Sequence, residues 1–280
     1  TYSVTVTVGT CSNATSVQIT VNPAPTASIT VDETSGLANN DGTICAGASA
    51  MLTASGGGTY LWSTGATTAV ITVTPAGSTT YTVTVTSVNG CTATASTTIT
   101  VNPLPAAAIS VAETSGTTND DGIICAGATV VLTASGGGTY AWSTGATTPA
   151  ISVTPGGTTT YTVTVTSISG CTATASTTIT VNPIPTAGIT VSETSGTTPN
   201  DGIICSGSTV TLTGTGGGTY AWSTGATTTS ITVNPAITTL YSVTVTSNGC
   251  TATASTNITV NQGPLYTFSV TNPTNCNTSD

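Results

Sequence analysis

A unit of 80 residues recurs three times along this chain of 280, and that repetition constrains its fold more than any other feature. Gly-Gly-Gly-Thr-Tyr begins at Gly56, Gly136 and Gly216, and Trp-Ser-Thr-Gly-Ala-Thr-Thr begins at Trp62, Trp142 and Trp222. The repeats are placed at 23–102, 103–182 and 183–261. Residues 1–22 match the last quarter of another copy, the C-terminal strands of a preceding repeat, and 262–280 open a following, divergent one. The sequence begins inside a strand pattern, Thr-Tyr-Ser-Val-Thr-Val-Thr-Val, so the array is expected to continue at both ends.

Within each repeat the hydrophobic period is two. In Thr80-Tyr81-Thr82-Val83-Thr84-Val85-Thr86 the Tyr and Val side chains point one way and the Thr side chains the other. Such alternation belongs to a strand with one face in a core and one in water. Similar runs lie at 27–31, 50–54, 59–63, 69–74 and 92–101, separated by Asn-Asp-Gly, triple-Gly, Ser-Thr-Gly and Asn-Gly turns. Six or seven short strands in one repeat predict a two-sheet sandwich, and no segment has helical periodicity. The fold class is therefore all-β: tandem immunoglobulin-like β-sandwich domains in an extended, rod-like array. Asn-Pro-x-Pro joins the repeats at 22–25, 102–105 and 182–185, a stiff, extended connection. Trp62 is expected to anchor the core beside Tyr60 and Tyr81, with an exposed aromatic platform for sugars as the alternative.

Composition removes several functions. The chain has no Lys, Arg or His and carries a net charge of −9. Nothing in it can neutralise a phosphate backbone, so nucleic acid is excluded as a partner, and anionic membrane surfaces are disfavoured. No apolar run approaches the ~20 residues that span a bilayer. Acid–base catalysis would fall to carboxylates alone. The carboxylates recur at one place in every repeat, which suits a structural feature and not a single active site, so no enzyme is expected.

Eight cysteines fall at 11, 45, 91, 125, 171, 205, 250 and 276. Without His or a Cys-x-x-Cys pair they make a poor zinc pattern, and disulfides in an oxidising, extracellular compartment are expected. Neighbours can pair within a repeat, as Cys45–Cys91, Cys125–Cys171 and Cys205–Cys250, or across a junction, as Cys11–Cys45. The first is preferred, because Cys45 opens the second strand and Cys91 the last, ends that can meet across a sandwich. A closed loop of that length stabilises by about 4 kcal/mol in the chain-entropy picture. Cys11 and Cys276 would then bond outside this stretch.

Eight of the nine acidic residues lie in one loop per repeat. Glu33 and Asp41, Glu113 and Asp121, and Glu193 and Asp201 offer oxygen ligands of the kind calcium prefers, although their spacing is not that of an EF-hand. A solvated acidic turn is the preferred reading, since Asn-Asp-Gly is an ordinary turn sequence, so no cofactor is expected and calcium is the alternative.

Ile-Cys-Ala-Gly, Leu-Thr-Ala-Ser-Gly-Gly-Gly-Thr-Tyr, Trp-Ser-Thr-Gly-Ala-Thr-Thr, Thr-Tyr-Thr-Val-Thr-Val-Thr and Gly-Cys-Thr-Ala-Thr-Ala-Ser together resemble the PKD-like and Ig-like repeats of giant Bacteroidota surface proteins. The tail at 269–280, Ser-Val-Thr-Asn-Pro-Thr-Asn-Cys-Asn-Thr-Ser-Asp, resembles the opening of a repeat in the gliding-motility adhesin of that group. The resemblance implies type IX export, display at the cell surface and long filaments that grip a substratum; it carries no catalytic or binding residues. The function expected is a structural segment of an extracellular adhesin filament, giving reach, stiffness and attachment. Alternatives are a subunit of a self-assembling fibre and a passive spacer in a secreted protein. Partners would be neighbouring repeats or identical subunits, and external surfaces or glycans.

Overall fold

The computed structural model describes residues 1–263 and residue 269. Apart from residues 262, 263 and 269, the divergent opening at 262–280, its tail motif and Cys276 lie outside the described residues. Every regular element among the described residues is a strand, and no helix is long and apolar enough to cross a membrane. The chain divides into two compact units. One comprises Thr1–Ile109, Ala134–Pro149 and Thr162–Ser176; the other comprises Ser110–Thr133, Ala150–Tyr161 and Thr177–Asp280.

The first unit opens with a hairpin, β1 (Tyr2–Val8) against β2 (Cys11–Val17), paired from Tyr2↔Val17 to Val8↔Cys11. The first repeat then supplies β3 (Ser28–Asp32), β4 (Thr43–Cys45), β5 (Ala50–Ser55), β6 (Thr59–Trp62), β7 (Val70–Val73), β8 (Thr79–Thr86) and β9 (Thr92–Asn102). They form a three-stranded sheet in the order β3-β5-β7 and a four-stranded sheet in the order β4-β9-β8-β6. With the short β4 set aside, the first, second and fourth strands lie on one sheet and the third, fifth and sixth on the other, the arrangement of an immunoglobulin sandwich that lacks one strand of the first sheet. Pairing is antiparallel except for β4, which runs parallel to the end of β9, with Thr43↔Thr100 and Cys45↔Asn102. This three-residue strand had no alternating pattern to betray it.

The period-two pattern sorts side chains as the sequence requires. On β8, Tyr81, Val83 and Val85 are buried, while the hydroxyls of Thr80 and Thr98 meet across the strand pair at 2.8 Å. Ile44, Leu52, Val83, Val85 and Ile99 are fully buried around Trp62. Each such side chain contributes about 1.5–3 kcal/mol of transfer free energy. Trp62 lies on β6, its indole Nε1 donating to the Thr68 carbonyl at 2.9 Å, so the ring is buried without orphaning its N–H. Trp142 and Trp222 make the same bond to Thr148 and Thr228. All three rings are buried, which removes the aromatic platform. The triple glycine has a steric cause: at Gly58, φ is +113° and a Cβ would run into the Thr86 carbonyl.

In the second unit the third repeat forms the same pair of sheets. Gly188–Ser192, Val210–Thr215 and Ser230–Val233 make one; Ile203–Cys205, Cys250–Asn261, Thr239–Ser247 and Thr219–Trp222 make the other. Its one-residue deletion shortens the last hairpin. Ser247 pairs with Cys250 around Asn248-Gly249, both at positive φ, a tight two-residue turn.

Candidate functional site: the acidic loops and the cysteine junctions

The acidic loop is a hydrogen-bonded clamp built on one buried glutamate. Glu33 is 3% exposed; its carboxylate accepts from the backbone N–H of Asp41 at 3.0 Å and of Ser35 at 3.1 Å. Its own N–H donates to Asn40 Oδ1 at 3.0 Å, and Asn40 takes the left-handed conformation at φ 61°. Asp41 Oδ1 accepts from Thr43 N–H, and Ser35 Oγ from Cys45 N–H. The network therefore runs from the glutamate to the strand end that carries the cysteine. Glu113, Asp120, Asp121 and Ser115 repeat it up to Cys125.

The oxygens of Glu33, Asp41, Glu113, Asp121, Glu193 and Asp201 considered for calcium thus accept backbone N–H groups. Among the described residues no group of three or more His, Cys, Asp or Glu side chains is placed to hold a metal ion. The third loop is incomplete. Glu193 keeps its bond from Asp201 N–H at 3.1 Å, but its other carboxylate oxygen and the Ser195 hydroxyl are buried without a partner.

The cysteines correct the expected pairing. Cys45 bonds to Cys171, and Cys125 to Cys250, each with Cα atoms 5.5 Å apart. Cys11, Cys91 and Cys205 carry free thiols. Pairing within a repeat fails on geometry. Cys45 lies beside Asn102 in the β4–β9 register, whereas Cys91 precedes β9 at its opposite end. Eleven extended residues at ~3.3 Å each separate them by about 36 Å, far beyond the ~7 Å limit for a disulfide. Cys205 and Cys250 are kept apart in the same way, since Cys205 pairs beside Asn261. Each bond instead joins the exit end of one repeat to the entrance end of the next. The alternative across a junction, Cys11–Cys45, does not form either.

Backbone fits closely where the repeats are bonded. In the first unit a Cβ on Gly170 would lie 2.7 Å from the Gly36 carbonyl carbon, so only glycine tolerates the approach. In the second unit Gly249 meets Gly116 likewise, Cys250 Sγ lies 3.9 Å from the Asn182 carbonyl, and Asn182 Nδ2 donates to Asn248 O at 3.3 Å. Cys91 reproduces half of that arrangement: its free thiol faces the Asn22 carbonyl at 3.7 Å. Sequence reading identified these cysteines and missed their glycine partners.

Each repeated glutamate accepts at least one backbone N–H within its own loop. A shallow depression of about 370 Å³ in the first unit is lined by Pro103, Leu104, Pro105, the glycines at 136–138 and Ile168, and it is largely apolar.

No protein-family model matches the chain, and no curated protein sequence does. Among solved structures it is similar to a part of a 1.5-MDa bacterial ice-binding adhesin studied for host cell surface retention, at 20% identity over 87% of this chain and 100% of that one, with a TM-score of 0.30. It is similar to a Ca2+-stabilized adhesin with which an Antarctic bacterium binds ice, at 20% identity over 92% and 81%, with a TM-score of 0.34. The N-terminal eight Ig domains of Down syndrome cell adhesion molecule align at 14% identity over 93% and 40%, with a TM-score of 0.35. The chain is defined as a disulfide-bonded series of immunoglobulin-like sandwiches by its own strand order and cysteine geometry.

Proposed function

We propose that this chain is a structural segment of an extracellular, cell-surface adhesin or filament, and not an enzyme. The observation that carries the reading is the covalent bonding of one repeat to the next, Cys45 to Cys171 and Cys125 to Cys250. Bonds of this kind persist outside the reducing cytoplasm, and they strengthen a chain of domains without creating a catalytic centre. The outward faces of the strands are dominated by Thr and Ser hydroxyls, suited to many weak contacts with water, glycans or a surface. Sequence resemblance supports the finer version: repeats at 23–102, 103–182 and 183–261 of a giant Bacteroidota surface protein, exported by the type IX route and serving gliding motility.

Neighbouring repeats are the first partners in this reading. Cys205 stands where Cys45 and Cys125 stand, and its loop holds the two unpartnered oxygens. A following repeat of the same design would bond there. A second reading is assembly of identical subunits into a fibre, since Thr/Val strands without Lys lack one of the usual defences of sheet edges.

The test is an antibody to the repeat applied to intact source cells and followed by live imaging and electron microscopy. Label on thin surface filaments that travel along the cell supports the gliding adhesin. Static fibres of regular subunits support assembly, and label found only in the medium overturns the cell-surface reading.

A further inference from the structure

The two disulfides interleave along the sequence. Cys45–Cys171 spans 126 residues and Cys125–Cys250 spans 125, and Cys125 lies inside the first loop while Cys171 lies inside the second. Two separate loops would each hide their own slack. Interleaved loops do more, because they open a shorter covalent route between the outer cysteines.

That route can be traced residue by residue. From Cys45 it crosses to Cys171, runs backwards along the backbone to Cys125, and crosses again to Cys250. The backward run is 46 residues, whereas the backbone from Cys45 to Cys250 is 205 residues. A chain under tension extends only to its shortest covalent path, at ~3.5 Å per residue. The interval between Cys45 and Cys250 can then reach about 160 Å when bonded and about 720 Å when reduced. Residues 46–124 and 172–249, which include β5–β9 of the first repeat and most of the last sheet of the third, lie off the loaded route.

We propose that the interleaved pair is a mechanical lock, giving this protein the function of a load-bearing tether that cannot lengthen by unravelling its domains. When the first or third sandwich yields, most of its strands carry no tension, the load passing through residues 125–171 of the second, and the bonded chain holds the ends in register for refolding. Either bond alone leaves a route of 79 or 80 residues between the outer cysteines, so the pair together, and not one disulfide, sets the limit. The inference goes beyond the adhesin reading and stands or falls without it.

Single-molecule stretching of the full chain, held by tags at its two ends, measures the route directly. The reduced chain is expected to extend about 560 Å further than the unreduced one. C125S and C171S should each extend about 120 Å further than the unreduced parent, the gain from 46 to 79 or 80 residues. An unreduced chain that unravels to the reduced length overturns the lock. So does a bonded route of 68 residues, about 240 Å, which pairing within repeats would give. Should the variants fail to fold, peptide mapping of the unreduced parent decides: absence of the Cys45–Cys171 or Cys125–Cys250 linkage overturns the proposal as well.

Discussion

Removing the buried glutamates one at a time should separate the complete loops from the incomplete one. In E33A and E113A two backbone N–H groups lose a carboxylate acceptor, those of Ser35 and Asp41 or of Ser115 and Asp121. In E193A only the Asp201 N–H loses one. A hydrogen bond to a charged group contributes about 1.5–3 kcal/mol, so the first two variants should lose about 3–6 kcal/mol of local stability and the third about half as much. Global melting is the wrong readout, since a chain of two compact units does not unfold in one step. Amide hydrogen exchange is the right one, read at Asp41, Asp121 and Asp201 in each variant. Protection at the affected amide should fall by about two to four decades in E33A and E113A. In E193A it should fall by about one to two decades. Equal losses at all three sites, or less than about tenfold at Asp121 in E113A, would refute the clamp.

Further outcomes follow from the same geometry. W62F should destabilise the first repeat by about 1–3 kcal/mol, through a small cavity and the orphaned Thr68 carbonyl, as read by hydrogen exchange of the β8 amides; unchanged protection there would contradict the burial of that ring. Thiol labelling of the folded, unreduced chain should reach Cys11 and Cys205 fast and Cys91 slowly, and should miss Cys45, Cys125, Cys171 and Cys250 until reductant is added. Burial raises the Tyr241 phenol above its usual range, so the unfolded chain ionises it first as pH rises. Stability from that burial is complete below about pH 10 and declines above it, and Y241F should lose less stability in alkali than the parent. A parent and variant with identical alkaline unfolding curves would count against it.

Much of the fold was legible because Thr and Val alternate without interruption. The runs at 50–54, 59–63 and 80–86 became strands with Leu52, Trp62, Val83 and Val85 inward, since one buried face fixes the register. The cysteine pairing was not legible, and the reason is local. β4 is three residues long, so its parallel pairing to the far end of β9 left no periodic trace. The sequence reading places Cys45 at the opening of the second strand, within reach of Cys91, whereas it closes β4 beside Asn102, at the opposite end of β9. The acidic loops were recognised as turns, but the side of the glutamate could not be read. A carboxylate that folds back onto backbone N–H groups and one that faces a cation share a sequence. Gly170 and Gly249 carry no signal of their own in the sequence, and only the bonded junction explains why neither can carry a side chain.

The central claim is that successive immunoglobulin-like repeats are bonded exit to entrance in a staggered series. Mass-spectrometric mapping of the unreduced, thiol-capped chain tests it most directly. Trypsin has no Lys or Arg to cleave, so the digest combines a protease that cuts at Tyr, Trp or Leu with one that cuts at Asp or Glu, which together separate all the relevant cysteines. Recovery of Cys45 linked to Cys171 and of Cys125 linked to Cys250, with Cys91 and Cys205 capped as free thiols, is the expected result. Peptides linking Cys45 to Cys91 and Cys125 to Cys171 would contradict it.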